Sequence, residues 1–189
     1  APGQPAATPT QHPQADLTAT PAQQPPVDVA AALTALRAQQ PLVQCLTNIV
    51  VANWTANVLL AAGAAPAMVD NVAEAGMFAG IAGGILINTG TPYLETADAM
   101  RAAAASATTA GRPWVLDPVA FGLPWRSGIA LDALAVGTPA IVRGNASEVM
   151  GIAGAGGKSR GVDATDTTDA ALAGAKAFEA VCPEPALIA

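Results

Sequence analysis

An α/β fold built on a mainly parallel sheet is the architecture that this 189-residue sequence predicts. Short apolar runs with β-branched residues alternate with stretches of helical periodicity, the pattern of βα units joined by right-handed crossovers. Apolar residues make up 52% of the chain and charged residues only 12%. That balance suits a sheet with helices on both faces, whose central strands need not alternate. Helix starts are marked as well: Asn71 precedes Glu74, and Asn145 precedes Glu148, each by three positions, as in a reciprocal cap. The length fits one sizeable domain better than two.

Residues 1–26 are Pro, Gln, Ala and Thr with almost no large apolar groups. Nothing there offsets the entropy of ordering, so a disordered tail is predicted, with the folded domain spanning 27–189. Asp28 can cap a helix running through Leu33 and Leu36 to Gln39. A strand over Leu42–Leu46 and a helix over Ile49–Leu60, with Trp54 and Val58 at helical spacing, follow. Ala65–Val69 reads as a strand, and Asn71 with Glu74 opens a helix to Ile81. Gly84–Asn88 is a strand, Leu94–Ala110 an Ala-rich helix and Pro113–Leu116 a strand. Ser127–Val136 reads as a helix and Ala140–Val142 as a short buried strand bounded by Pro139 and Gly144. A weak helix to Ala153, a long one over Asp166–Val181 and a strand from Ala186 complete the series. That last strand has no helix after it, which would leave one sheet face bare, so a chain cut short is expected. Ala1 stands where an initiator Met would, as expected after removal of the initiator or more.

Several function classes are disfavoured by composition. Net charge is −6 with scattered basic residues, so no nucleic-acid footprint is expected. His12, the sole histidine, lies in the tail, which excludes a His-based triad or a His-rich metal site. Cys45 and Cys182 make no spacing motif and fit a reducing compartment. No basic segment followed by an apolar core opens the chain. The uncharged windows Gln39–Val69 and Ala75–Leu94, with Gly76, Gly80 and Gly84 four apart, raise a membrane reading. Their Asn48, Asn53, Asn57, Asn88, Pro66 and Pro92 argue against it.

In a parallel sheet the C-terminal strand ends gather on one edge, where ligands bind in open α/β folds. Asn48, Asn88 with Thr89, Asp117, and Arg143 with Asn145 and Glu148 all fall there. Asp117, in Leu116-Asp-Pro-Val119, reads either as an ordinary turn aspartate or as a ligand residue held extended by Pro118. With Glu148 it would share Mg²⁺, an ion that takes oxygen ligands and keeps several waters. Arg143 would neutralise charge on a transferring phosphoryl group, at a turn opening a helix whose N-terminus suits phosphate. Met68 reads as a core methionine or as a soft apolar wall for a small ring. The segment Gly151-Ile-Ala-Gly-Ala-Gly-Gly-Lys-Ser159 imitates a P-loop. Its glycine spacing fails at Ile152, and it follows a helix rather than a strand, so a flexible surface loop is expected.

Taken in order, Leu46-Thr-Asn48, Asn53-x-x-x-Asn57, Gly63-Ala-Ala-Pro-Ala-Met68, Leu86-Ile-Asn-Thr-Gly90, Leu116-Asp-Pro-Val119 and Val142-Arg-Gly-Asn-Ala-Ser-Glu148 resemble the hydroxyethylthiazole kinases, of the ribokinase-like superfamily. Gly161-Val-Asp163 also fits, and the resemblance runs from about Val27 to the end. It implies a cytoplasmic homotrimer with sites at subunit interfaces. The reaction it implies is ATP- and Mg²⁺-dependent phosphorylation of the hydroxyl of 5-(2-hydroxyethyl)-4-methylthiazole, a step of thiamine biosynthesis and salvage. By motif, Met68 would contact the thiazole and Asn48 would lie beside it. Arg143 would bind the ATP phosphates, with Asn145 in the Asn-x-x-Glu motif, and Asp117 and Glu148 would organise Mg²⁺.

There are departures from the family pattern. The family continues past the strand near Ala186 into a threonine-bearing ATP segment. A glycine-rich turn then forms an anion hole beside a catalytic cysteine or aspartate, and Cys182 does not match that position. The catalytic residue is therefore expected beyond Ala189, and the 189-residue chain itself is expected to be inert, since a hydroxyl nucleophile needs a positioned base and oriented donors. The loop Ala120-Phe-Gly-Leu-Pro-Trp-Arg126 is bulkier than the family's. Two alternatives stand beside the kinase: a non-catalytic binding or regulatory fragment, and a kinase for another small alcohol such as hydroxymethylpyrimidine.

Overall fold

A computed structural model describes residues 28–154, 172–176, 178, 187 and 188. The elements are α1 (Val29–Gln39), β1 (Leu42–Leu46), α2 (Ala52–Ala62), β2 (Ala65–Ala67), α3 (Ala75–Ile81), β3 (Gly84–Asn88), α4 (Leu94–Thr109), β4 (Trp114–Asp117), α5 (Pro124–Val136), β5 (Ile141–Val142), α6 (Ala146–Ile152) and β6 (Leu187–Ile188). The strands pair in parallel in one six-stranded sheet of order β2-β1-β3-β4-β5-β6. The chain steps from β1 outward to β2, then returns past β1 and proceeds the other way from β3. The reversal makes the gap between β1 and β3 a topological switch point, the place where open α/β sheets bind ligands.

One face of the sheet is fully packed. Leu46, Ile85, Ile87, Trp114, Leu116 and Val142 are buried there against the alanines of α3, α4 and α5. Ala97, Ala99, Ala103, Ala104 and Ala107 line the buried side of α4, so its backbone lies close to the strands. Gly76 and Gly80 of α3 face Ala102 and Ser106 of α4; their spacing serves helix packing within the domain. Cys45 is buried, which pushes its thiol up to about 11 and makes it unreactive.

Helices lie on both faces, as expected, and on the opposite face the described residues leave part of the sheet uncovered. Val43, Leu86, Val115 and Ile141 alternate with the core residues and stay half-buried. With Trp54 and Val58 of α2 they line an apolar groove of about 600 Å³. No residue of α2 is buried, and Trp54 remains 72% exposed. Burial therefore alternates along residues 85–87 of β3 and 114–116 of β4, where the described helices cover only part of this face, whereas β1 is buried throughout residues 44–46. No described helix is long and apolar enough to cross a membrane.

Local boundaries follow local chemistry. Asp28 caps α1 by accepting from the Ala31 amide at 3.0 Å. Asn71 and Glu74 do bond reciprocally, at 2.8 and 3.1 Å, but around a single turn, and α3 begins only at Ala75. α5 starts before Ser127, because Pro124 occupies its first turn without needing an amide partner. The tail with His12, the P-loop-like segment beyond Gly154, Gly161-Val-Asp163 and Cys182 lie outside the described residues, as does most of the helix expected over 166–181, of which 172–176 are helical.

Gly137 joins α5 to the approach to β5 with an extended backbone, and a Cβ there would overlap the Thr108 side chain of α4. Gly137→Ala is expected to destabilise the fold by about 1–3 kcal/mol through overpacking. Urea denaturation measures it, and a change within about 0.5 kcal/mol would contradict the packing described.

Candidate functional site

The register brings the polar residues together. Asn88 is paired with Asp117 at the ends of β3 and β4, and Val142 with Leu116, so Arg143 follows alongside Asp117. The pleat turns Asn88, Asp117 and Arg143 to the α2 side, in line with Leu86, Val115 and Ile141. Asn48 arrives from β1, across the switch point.

A continuous set of hydrogen bonds results. Asn48 Nδ2 donates to Asn88 Oδ1 at 2.9 Å, Asn88 Nδ2 donates to Asp117 Oδ2 at 2.9 Å, and Arg143 Nη1 donates to the same oxygen at 2.9 Å. Asn48 Oδ1 accepts the amides of Val50 and Val51, and Asn88 Oδ1 accepts that of Gly90. Gly90 is required by this closeness: a Cβ there would stand 2.9 Å from Asn48 Cβ and 3.0 Å from Asn88 Oδ1.

Asp117 is 7% exposed. Its Oδ2 is doubly hydrogen-bonded, whereas among the described residues its buried Oδ1 has no partner. Burial pushes the carboxyl above the ordinary carboxylate range, and the Arg143 charge and hydrogen bond and the Asn88 amide offset this only in part. The Arg143 side chain is 67% exposed, so most of its guanidinium faces outward.

Glu148 sits behind this edge and is used differently from Asp117. Its Oε1 accepts the Ala120 amide at 2.7 Å and its Oε2 the Asn145 amide at 2.9 Å, while Asn145 Oδ1 accepts the Glu148 amide at 3.1 Å. The acid thus completes the predicted cap of α6 and also holds the loop after Asp117, where Ala120 is kept at φ 56. Among the described residues no group of three or more acids, cysteines or histidines gathers as a metal site.

Met68 follows β2 and is 42% exposed, which overturns the core alternative: a three-residue edge strand leaves its successor at the rim. The segment carrying it is anchored by fully buried Gln44, whose Nε2 donates to the carbonyls of Val69 at 2.9 Å and Ala75 at 3.1 Å. Sequence reasoning missed Gln44, although a glutamine between apolar neighbours of a strand is a readable signal. It placed Asn88 at this edge without giving it a role.

Between its unfolded value and its raised folded value, Asp117 binds protons more tightly in the folded state, so its ionisation lowers stability as pH rises through that window. Asp117→Asn is expected to melt above the wild type at pH 7, the gap closing as pH falls to the ordinary carboxylate range; a melting point below wild type at pH 7 would contradict this. Glu148→Gln leaves one of two backbone amides facing a donor and is expected to cost about 1–3 kcal/mol. Chemical denaturation reads it, and an unchanged midpoint would show that Glu148 does not hold the two turns.

Known proteins similar to this chain fall in one family. The model of the hydroxyethylthiazole kinase family matches residues 33–183. The hydroxyethylthiazole kinase of Cutibacterium acnes is 60% identical over 147 residues, covering 78% of this chain and 53% of the relative. That of Rhodococcus erythropolis is 61% identical over 144 residues, covering 75% and 51%. The solved hydroxyethylthiazole kinase structure from Pyrococcus horikoshii superposes with a TM-score of 0.66 at 31% identity, over 79% of this chain and 57% of that one. The chain spans about half the length of the curated relatives it matches. By its motifs, its sheet and these matches, the chain belongs to the hydroxyethylthiazole kinase family.

Proposed function

We propose that this chain carries the phosphate-facing edge and part of the alcohol pocket of a kinase. The reaction is transfer of the terminal phosphoryl group of ATP to the hydroxyl of 5-(2-hydroxyethyl)-4-methylthiazole in thiamine biosynthesis. The observation that carries the reading is Asp117 Oδ1, a buried oxygen without a partner among the described residues, at the C-terminal sheet edge beside an exposed guanidinium.

That oxygen fits Mg²⁺, which takes hard oxygen ligands and completes its shell with water and phosphate oxygens rather than with a full set of protein groups. Asp117 would hold the ion directly. Glu148, with both oxygens on backbone amides, suits a water-mediated contact. Bound there, the ion would draw negative charge off the transferring phosphate. Arg143 opposes the effect of burial on Asp117 and would present its remaining donors to the phosphates, while Asn145 starts the helix beside them. Asn48 lies across the switch point from Asp117, which suits the alcohol, and the exposed thioether of Met68 suits the thiazole ring. No described residue is proposed as the base that takes the hydroxyl proton. The same reading includes a cytoplasmic homotrimer with sites at subunit interfaces. Exposed Ile49, Val50 and Tyr93 flanking Asn48 and Gly90 support that arrangement.

Turnover is proposed for the whole protein, and substrate binding is what this chain is tested for. In isothermal titration, saturable binding of the thiazole alcohol and of Mg²⁺-ATP is expected. Met68→Ala should weaken only the alcohol, and Asp117→Ala only Mg²⁺-ATP, each about tenfold or more. Tighter binding of hydroxymethylpyrimidine than of the thiazole would favour the other alcohol kinase, and no binding of Mg²⁺-ATP would overturn the kinase reading.

A further inference from the structure

Asn88 stands between the two halves of the site and belongs to neither. Its side chain is 5% exposed, and its orientation is settled by its neighbours. Asn48 Oδ1 accepts two backbone amides, so Asn48 must present Nδ2 to Asn88. Asn88 Oδ1 therefore accepts, from Asn48 and from Gly90, and its Nδ2 donates to Asp117. Reversing the Asn88 amide would set donor against donor on one side and acceptor against acceptor on the other.

We infer that Asn88 is a positioning residue that couples the alcohol half of the site to the cation half: it turns Asp117 so that Oδ1 faces the cation, and it fixes Asn48 across the β1–β3 switch point. The inference rests on the kinase reading above. Two geometric features support it. Asn88 and Arg143 share Oδ2, so among the described residues the oxygen left unpaired is Oδ1. The close approach of Gly90 to both asparagines leaves Asn88 no room to swing away.

The test uses the 189-residue chain and two variants with contrasting chemistry. Asn88→Ala removes both contacts and is expected to weaken the thiazole alcohol and Mg²⁺-ATP alike, each by about 10–100-fold, with the circular dichroism unchanged. Asn88→Asp keeps the acceptor for Asn48 and Gly90 and sets an oxygen against Asp117; it is expected to weaken Mg²⁺-ATP by that factor and leave alcohol affinity within about twofold. Equal losses from both variants, or none from either, would overturn the inference, since a purely structural asparagine gives no such split. A ligand-free arm separates this outcome from failure of the kinase reading. Asp117→Ala should move the Asn48 side-chain amide signal in ¹H–¹⁵N spectra, and should not move it once Asn88 is Ala. If the wild type binds neither ligand, the kinase reading falls while the relayed signal still supports the coupling. An unmoved Asn48 signal overturns the coupling whatever binds.

Discussion

Taking a carboxylate out of water costs several kcal/mol unless hydrogen bonds and opposite charge replace its hydration, and Asp117 recovers only part of that cost. Arg143 and Asn88 both serve Oδ2, and Oδ1 is left buried without a donor among the described residues. A residue kept in this state is unfavourable for folding alone, and natural proteins concentrate such costs at functional sites. The rest of the edge can be understood as what holds that carboxylate in place. Pro118 limits the backbone after it, Glu148 pins the following loop through the Ala120 amide, and the β3–β4 register sets Asn88 opposite it.

The sheet topology makes this possible at low sequence cost. Parallel pairing aligns the strand ends, so residues separated by 26 and 29 positions meet at hydrogen-bond distance. The reversal between β1 and β3 opens a crevice at the same edge, and Asn48 bridges it to Asn88. Packing on the two faces is unequal. The alanine-lined side of α4 and the glycines of α3 bring helices close on one face, giving a rigid base for the strand ends. The other face carries the half-covered groove beside α2, lined by apolar residues such as Val43, Trp54, Val58 and Leu86.

Much of this was legible in the residues. Strand positions and the order of elements followed from apolar runs punctuated by Gly and Pro, and the Asn145–Glu148 cap formed as its spacing implied. Convergence of Asn48, Asp117 and Arg143 was legible because parallel strands leave little choice about where their ends lie. Three features were not legible, each for a physical reason. Overall hydrophobicity pointed to helices on both faces, which the sheet has, but it does not distinguish an apolar residue packed by a helix from one facing a groove; exposed Trp54 is the clearest case. Met68, among small apolar neighbours, read as core or as a pocket wall, and the shortness of β2 is what sets it at the rim. The coupling role of Asn88 and the anchoring role of Gln44 depend on hydrogen-bond partners some 25 to 40 positions away, a distance no local pattern encodes. Glu148 lay between these cases: its cap was readable, but its second bond to Ala120 was not.

In the proposed function, Asp117 Oδ1 is the oxygen that would take a cation at the C-terminal sheet edge. The most direct measurement is an anomalous difference map from crystals of this protein grown with Mn²⁺ and ADP, Mn²⁺ standing in for Mg²⁺. The expected result is a peak about 2.0–2.3 Å from Asp117 Oδ1, with the nucleotide phosphates on its far side and Arg143 beside them. Nucleotide bound with the metal away from Asp117, or a metal on Oδ2 with the Asn88 and Arg143 bonds broken, would contradict it.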